Sequence, residues 1–355
     1  MQIKLYKKIP DEYEALAAKG NSFSPCYAPY YLKLLSAYLN NEPLCFVLKQ
    51  GAVPLGTLAL FVTEGPAGKI ANSMPYYGSY GGCLVDPSLR PDDRREVKSK
   101  ILLRLVEWAE EENIKLITVI NHPFEEDEDL YRAVLKPTFQ DERVGQVLRL
   151  PHGSSTRDPI DLLLQMHKKG RNVVRKGLRL TEVKAENETG AFTFLYETHV
   201  KNMYAIGGIP KERSFFDMVY RMLIPGRDYR LYVGYVEGER AAACLTFRYG
   251  GVIDYFTPAI NQRFRSSQAL SAIIMRAMQE GTREGFKWWN WGGTWRSQEG
   301  VYRFKARWGG DDKLYKYHIK VLGDVGDFAK IGRNDLLFFY KYFYTLPFGE
   351  TGLAS

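Results

Sequence analysis

The chain repeats itself, and the repeat limits the folds open to it. In the first half, PLCFVLK (43–49), a turn at Gln50-Gly51 and PLGTLALFV (54–62) read as a hairpin. In the second half YRLYVGYV (229–236), a turn at Glu237-Gly238 and RAAACLTFRY (240–249) read the same way. A further strand follows in each half, near YYGSYGGCLV (76–85) and GVIDYFTP (251–258). Next comes a helix: Val97, Ile101, Leu105, Trp108 and Ala109 hold helical spacing, as do Leu270, Ile273, Ile274, Ala277 and Met278. A charged turn and a buried strand close each unit, at 110–120 and 282–291. Two copies of one α/β domain are expected, residues 1–155 and 156–355, joined around RLPHGSST (149–156).

A strand-helix-strand passage needs a crossover, so each sheet should be parallel there and antiparallel in its hairpin. A mixed α/β sheet of this order is that of the GNAT acyltransferase fold, so the expected fold class is two tandem GNAT-like domains. The length of 355 residues suits two cores, and 45% hydrophobic with 25% charged residues suits a globular chain. The start, MQIKLYKKIPDEYEAL, reads as lacking a leader, and no segment approaches the ~20 apolar residues that span a bilayer. Cys26, Cys45, Cys83 and Cys244 lack metal spacing and read as reduced thiols of a cytoplasmic protein. Five histidines without ligand spacing argue against a metal site. The net charge of +8 permits an anionic partner such as RNA, a nucleotide or a membrane surface, and does not choose among them.

Four segments could carry chemistry. Phe286 to Gly310, FKWWNWGGTWRSQEGVYRFKARWGG, holds five of the six tryptophans and five glycines. A strand, a glycine turn and a short helix carrying Lys305 explain that order; an aromatic core corner is the plain alternative. A lysine placed there can stabilise charge on a carbonyl oxygen, or merely snorkel. In HKKGRNVVRKGLR (167–179), helical spacing puts Lys168, Arg171, Arg175 and Arg179 on one face. Six cations without an acid point to phosphate rather than to a solvated face. Gly170 and Gly177 count against that helix.

NQRFRSSQAL (261–270) precedes the second amphipathic helix. There Ser266 or Ser267 would cap a helix N-terminus, and Arg263 and Arg265 would add to its pull on a donor's phosphates. The alternative is an ordinary capped helix. The tail NDLLFFYKYFYTLPFG (334–349) reads as a helix packed on the core, or as an aromatic segment at the inner membrane surface.

Taken together, KKGRNVVRKGLR, the SQAL helix with Gly285 and the NWGG…GVYRFKARWGG run resemble the Fem family of aminoacyl transferases, which build peptidoglycan cross-bridges from aminoacyl-tRNA. The resemblance implies two GNAT-like domains with the first on the acceptor side and the second carrying donor and catalytic motifs. It implies that Phe304 and Lys305 are the family's Phe-Lys pair, the lysine holding an oxyanion. Lys168, Arg171 and Arg175 match its basic segment, and Tyr255 its cleft aromatic, with Trp291 beside it. Two departures stand out. Ser and Gln replace the glycines of the GNAT pyrophosphate loop, and no helical hairpin is inserted in the second half.

The expected activity is therefore N-acyl transfer, aminoacyl from aminoacyl-tRNA, to a primary amine of a cell-wall precursor or surface glycan. The alternative is acyl-CoA with an amino sugar, and a third reading is a binding module without turnover. No tightly bound cofactor, no metal and no DNA are expected. Asp254 and Glu299 are the carboxylates nearest the site, each with an ordinary surface reading.

Overall fold

The computed structural model describes residues 1–19, 24–76, 80–151, 160–295 and 298–347. The expected linker at 149–156 lies mostly outside these, as do residues 77–79 of the tyrosine-glycine run and the last two residues of the aromatic tail. The chain forms two compact units. One is Met1–Arg143 with Leu314–Ser355, and the other is Val144–Lys313.

The first unit contains β1 (Gln2–Tyr6), α1 (Asp11–Ala18), α2 (Pro29–Leu39), β2 (Leu44–Gln50), β3 (Val53–Gly65), β4 (Gly68–Asn72) and β5 (Leu84–Val85). Then come α3 (Pro91–Glu111), β6 (Leu116–Ile120), α4 (Glu128–Leu135) and the start of β7 (Phe139–Arg149). Strands β1 to β4 pair antiparallel in chain order, and β4 pairs parallel with β6. Helix α3 makes that crossover. Pro91 presets its first turn, Asp92 and Asp93 face the helix dipole, and its stripe Val97, Ile101, Leu105 and Trp108 is buried. The parallel strand lies at Gly68–Asn72, earlier than the expected 76–85, where among the described residues only Leu84–Val85 pairs, with β3.

The second unit continues with α5 (Ile160–Gln165), α6 (Lys168–Leu180), β8 (Glu182–Glu186), α7 (Thr189–Tyr204), α8 (Arg213–Met222), β9 (Tyr229–Val236), β10 (Glu239–Tyr249) and β11 (Val252–Ile260). It ends with α9 (Ala269–Arg283), β12 (Trp288–Thr294) and α10 (Glu299–Ala306). Its pairing repeats the first: β8 to β11 antiparallel, β11 with β12 parallel, β12 with β7 antiparallel. The β9–β10 turn has both Glu237 and Gly238 at positive φ, the backbone that matches strand twist.

The chain then returns to the first unit with β13 (Asp311–Val321), α11 (Val325–Ile331) and α12 (Arg333–Phe339). This corrects the boundaries expected at 155 and 355. Strand β13 pairs with β6, Tyr317 opposite Ile120 through Val321 opposite Leu116, so the C-terminal segment belongs to the first unit's sheet. The tail does pack back. Tyr340, Phe343 and Leu346 are buried, and the Tyr340 hydroxyl accepts from Ala67 N (2.8 Å) and donates to Gly68 O (2.9 Å).

Candidate functional site

In the second unit β12 runs parallel to β11 only briefly, Trp288–Asn290 against Val252–Asp254, although β11 continues to Ile260 and β12 to Thr294. The strands therefore part after Asp254 and Asn290, both buried. On its other edge β12 slips register against β7 between Asn290 and Gly293. The Asn290 amide bridges the opening: Nδ2 donates to Asp254 Oδ1 (2.9 Å) and Oδ1 accepts from Gly292 N (3.0 Å). Gly292 sits at φ +70°, a turn that a Cβ would strain.

Helix α10 returns Lys305 to this glycine turn. The lysine residue is 5% exposed, and its ammonium donates to Thr294 Oγ1 at 2.7 Å, with longer contacts to Gly293 O (3.3 Å) and Gly292 O (3.4 Å). Burial, with no carboxylate opposing it, lowers its pKa to about 7. The acceptors match the three protons of an ammonium in number, and the two long contacts are the weak ones. A substrate oxygen gaining negative charge could replace them at little cost.

Behind the turn stands an aromatic stack. Trp291 meets Tyr255 edge-on at 5.2 Å and Phe304 at 6.1 Å, and lies 5.5 Å from Trp308. Phe304 is thus a packing neighbour of Trp291, and the tryptophans form a wall of the second core. The indole N–H groups of Trp289 and Trp291 are buried without an acceptor.

Helix α6 forms as the cation spacing predicts, and its two glycines are where it packs. A Cβ at Gly170 would lie 2.9 Å from Arg307 O, and one at Gly177 only 2.6 Å from Gln268 O and 3.2 Å from Ala272 N. The glycines thus let α6 close down on the end of α10 and the start of α9. Its opposite face is exposed at Lys168, Lys169, Arg175, Lys176 and Arg179 and half-exposed at Arg171. Among the described residues, none of these six cations makes an ion pair.

The loop at 261–270 differs from the expected anion cradle. Gln262–Ser267 is a 3-10 turn in which the Ser267 hydroxyl donates to Phe264 O (2.7 Å). Helix α9 instead begins after Gln268, in the left-handed region at φ +63° and without a side-chain cap. Neither Ser266 nor Ser267 caps it, because the tight turn spends the Ser267 hydroxyl and ends too early. Arg263 is tied to Glu239 (2.8 Å), while Arg265 and Ser266 are exposed. With Gly177 pressed on Gln268 and Ala272, the start of α9 is covered by helix rather than open to a pyrophosphate. Glu299 bonds Arg303 (2.7 Å) with both side chains 70% exposed, which takes it away from the buried Lys305.

Sequence reasoning missed Asn290, Thr294 and Lys211. Lys211 follows the α7–α8 turn; its Nζ stands over the Phe256 ring at 5.0 Å, and its backbone N donates to His199 Nε2 (3.1 Å). Burial lowers its pKa to about 8, with no carboxylate to offset the cost. Its only signal in the sequence is a lysine after Gly207-Gly208-Ile209-Pro210. Among the described residues no three His, Cys, Asp or Glu gather as for a metal ion, and no helix is long and apolar enough to cross a membrane. All four cysteines are buried, and none forms a disulfide among the described residues.

Residues 165–306 match the family model described as an acetyltransferase (GNAT) domain. No curated protein matches the sequence. Among solved structures the chain is similar to FemX, with 14% identity over 89% of this chain and 97% of that one and a TM-score of 0.70. It is also similar to L-PGS from Bacillus licheniformis (12% identity, 95% and 98% covered, TM-score 0.54). A third is the tandem GNAT protein from the clavulanic acid biosynthesis pathway (12%, 91% and 99%, TM-score 0.53). At such identities the likeness is one of fold.

Proposed function

We propose that this chain, an acyltransferase whose second unit carries a GNAT domain within a Fem-like tandem fold, transfers an aminoacyl group from aminoacyl-tRNA to a primary amine. The acceptor in this reading is a cell-wall precursor or surface-glycan intermediate. The observation that carries it is Lys305, a buried lysine without a counter-ion among the described residues, at the point where β11 and β12 separate.

In this reading the donor carbonyl lies over the glycine turn, and its oxygen takes the place of Gly292 O and Gly293 O at the Lys305 ammonium. The neutral acceptor amine attacks the carbonyl carbon, a new amide bond forms, the ester bond to the ribose breaks, and the proton the amine gives up ends on the released ribose hydroxyl. Lys305 stabilises the oxyanion, which preorganised donors do by several kcal/mol. Asn290 and Asp254 hold the turn in shape. Lys211, a half-buried cation without a counter-ion among the described residues, offers an anionic group of the acceptor its charge partner. The unpaired cations of α6, Lys168, Arg171 and Arg175 among them, follow the donor's phosphodiesters. Arg265 and Ser266 flank the same approach. Lys305→Ala should lower turnover by more than it weakens donor binding.

The second reading is an acyl-CoA donor and an amino-sugar acceptor, which the family model favours. The covered start of α9 speaks for RNA instead. Binding of charged tRNA, uncharged tRNA and acetyl-CoA at two salt concentrations separates them. Salt-sensitive preference for charged tRNA supports the first reading. Tight acetyl-CoA binding with no preference for charged tRNA overturns it. A peripheral membrane contact through Leu337, Phe338 and Phe339, all exposed on α12, belongs to the same proposal, and vesicle sedimentation tests it.

A further inference from the structure

The first unit holds a cavity of about 380 Å³ to which the transfer chemistry proposed above assigns no residue. It opens beyond the carboxyl end of β6, between the first turns of α3 and the loop that follows β6, with the β5 strand along one side. A crevice outside the carboxyl end of a strand in a parallel pair is where open α/β sheets seat ligands. Its volume lies within the range of small-molecule sites, about 300–1,000 Å³.

Its wall is charged and balanced: Arg94, Arg95 and Lys98 against Glu125, Glu126 and Asp127. Most of that charge is settled internally. Lys98, 10% exposed, bonds Glu125 Oε1 and Asp127 Oδ2 (2.6 Å), and Arg95 bonds Asp127 (2.7 Å) and Asp129 (2.7 Å). The Tyr131 hydroxyl donates to the same Glu125 oxygen at 2.9 Å. Three groups are left over, the exposed Glu126 carboxylate among them. The Arg94 guanidinium has no acidic partner among the described residues, and its Nε is buried without an acceptor. The Glu125 side chain is 3% exposed, and its Oε2 is buried without a donor. One cation, one half-satisfied carboxylate and the exposed Glu126 thus remain on a wall of zero net charge, beside the rings of Tyr27 and Phe124.

We propose that this cavity is a second ligand site, for a small zwitterion that carries a carboxylate and an ammonium, an amino acid or a short peptide end. The carboxylate pairs with Arg94, the ammonium lies toward Glu125 and Asp127, and the side chain packs on Tyr27 and Phe124. A polyanion such as a nucleotide is disfavoured, because three carboxylates face it on the same wall. The site belongs to the first unit and Lys305 to the second, so the two can fail separately.

Calorimetric titration of the full chain with L-alanyl-L-alanine, propionate, ethylamine and inorganic phosphate tests it. The dipeptide should bind saturably, and each single-charge analogue at least about tenfold more weakly. Arg94→Gln, a half-exposed position without a partner to lose, should weaken the dipeptide about tenfold or more with an unchanged melting temperature. Glu125→Gln should weaken it likewise. Lys305→Met should leave it unchanged. Phosphate binding tighter than the dipeptide, no saturable binding, or an unaltered affinity in Arg94→Gln would each overturn the proposal.

Discussion

Lys305→Met separates the cost of the buried ammonium from its use. The side chain is 5% exposed, and burial holds its pKa near 7 against the ordinary 10.5. Below pH 7 the proton is bound in both folded and unfolded chains, and the folded state bears the full desolvation penalty. Between pH 7 and 10.5 the unfolded chain keeps a proton that the folded chain has released. Stability therefore rises with pH by about 1.4 kcal/mol per pH unit, and the penalty vanishes above 10.5. From pH 7 to pH 9 the gain is about 2.7 kcal/mol. Methionine has a similar length and no proton to lose, so the variant lacks this dependence. At pH 7 the variant should be the more stable protein, by up to about 4 kcal/mol once the lost hydrogen bonds are subtracted. By pH 9 its advantage should shrink by about 2.7 kcal/mol. Urea unfolding followed by tryptophan fluorescence reads the second unit, since five of the six tryptophans lie between residues 288 and 308. The variant should also lose turnover at every pH. Unfolding curves whose separation is the same at pH 7 and pH 9 would refute the reasoning, because they would mean an ammonium of ordinary pKa.

Three further outcomes are expected. Gly177→Ala places a Cβ 2.6 Å from the Gln268 carbonyl, so overpacking should outweigh the helix propensity of alanine and cost about 1–3 kcal/mol in urea unfolding. Arg143→Met strands the buried carboxylate of Asp141, its partner in the first unit, and should destabilise that unit by about 3–5 kcal/mol; adding Asp141→Asn should recover part of the loss in melting temperature. Charge reversal at Arg175 should leave the melting temperature unchanged while weakening tRNA and flattening the slope of log Kd against log salt by about 1–2.

The repeated hairpins, the two crossover helices, the second unit's parallel pair and the short helix α10 were legible because each rests on local periodicity or on turn chemistry. Glu237-Gly238 and the stripe of α9 are examples. What escaped depends on distant partners. Strand β4 is only Gly68–Asn72, too short to show a period, so the run at 76–85 with its aromatics took its place. Strand β13 begins Asp-Asp-Lys and alternates polar residues among tyrosines; its place beside β6 follows from pairing across nearly two hundred residues. In the site, the six cations announced α6. Its glycines argued against a helix until their close contacts with Gln268 and Arg307 gave the reason for them. Asn290 carried no signal, since its role is to fill a gap that exists only once β11 and β12 diverge.

The two units share one pairing pattern and differ at the point where a GNAT fold opens. In the first, the chain after β4 closes the seam itself. Ser73 N donates to Thr118 O (2.9 Å), Ile120 N donates to Ser73 Oγ (3.0 Å), and Gly81 N donates to Ile120 O (2.8 Å). A Cβ on Gly81 would lie 2.6 Å from Ser73, so glycine is what lets this staple close. The backbone groups of β6 that could hold an inserted ligand are already satisfied by the protein. In the second unit no such staple forms over Asn290 and Gly292; a side-chain amide holds the edge and Lys305 stands behind it. A side chain can give way to a substrate at the cost of a hydrogen bond or two, about 0.5–1.5 kcal/mol each. Displacing a backbone staple means unpairing a strand. Under the proposed function acyl chemistry therefore falls to the second unit, and a ligand of the first would bind beyond the end of β6 rather than between its strands.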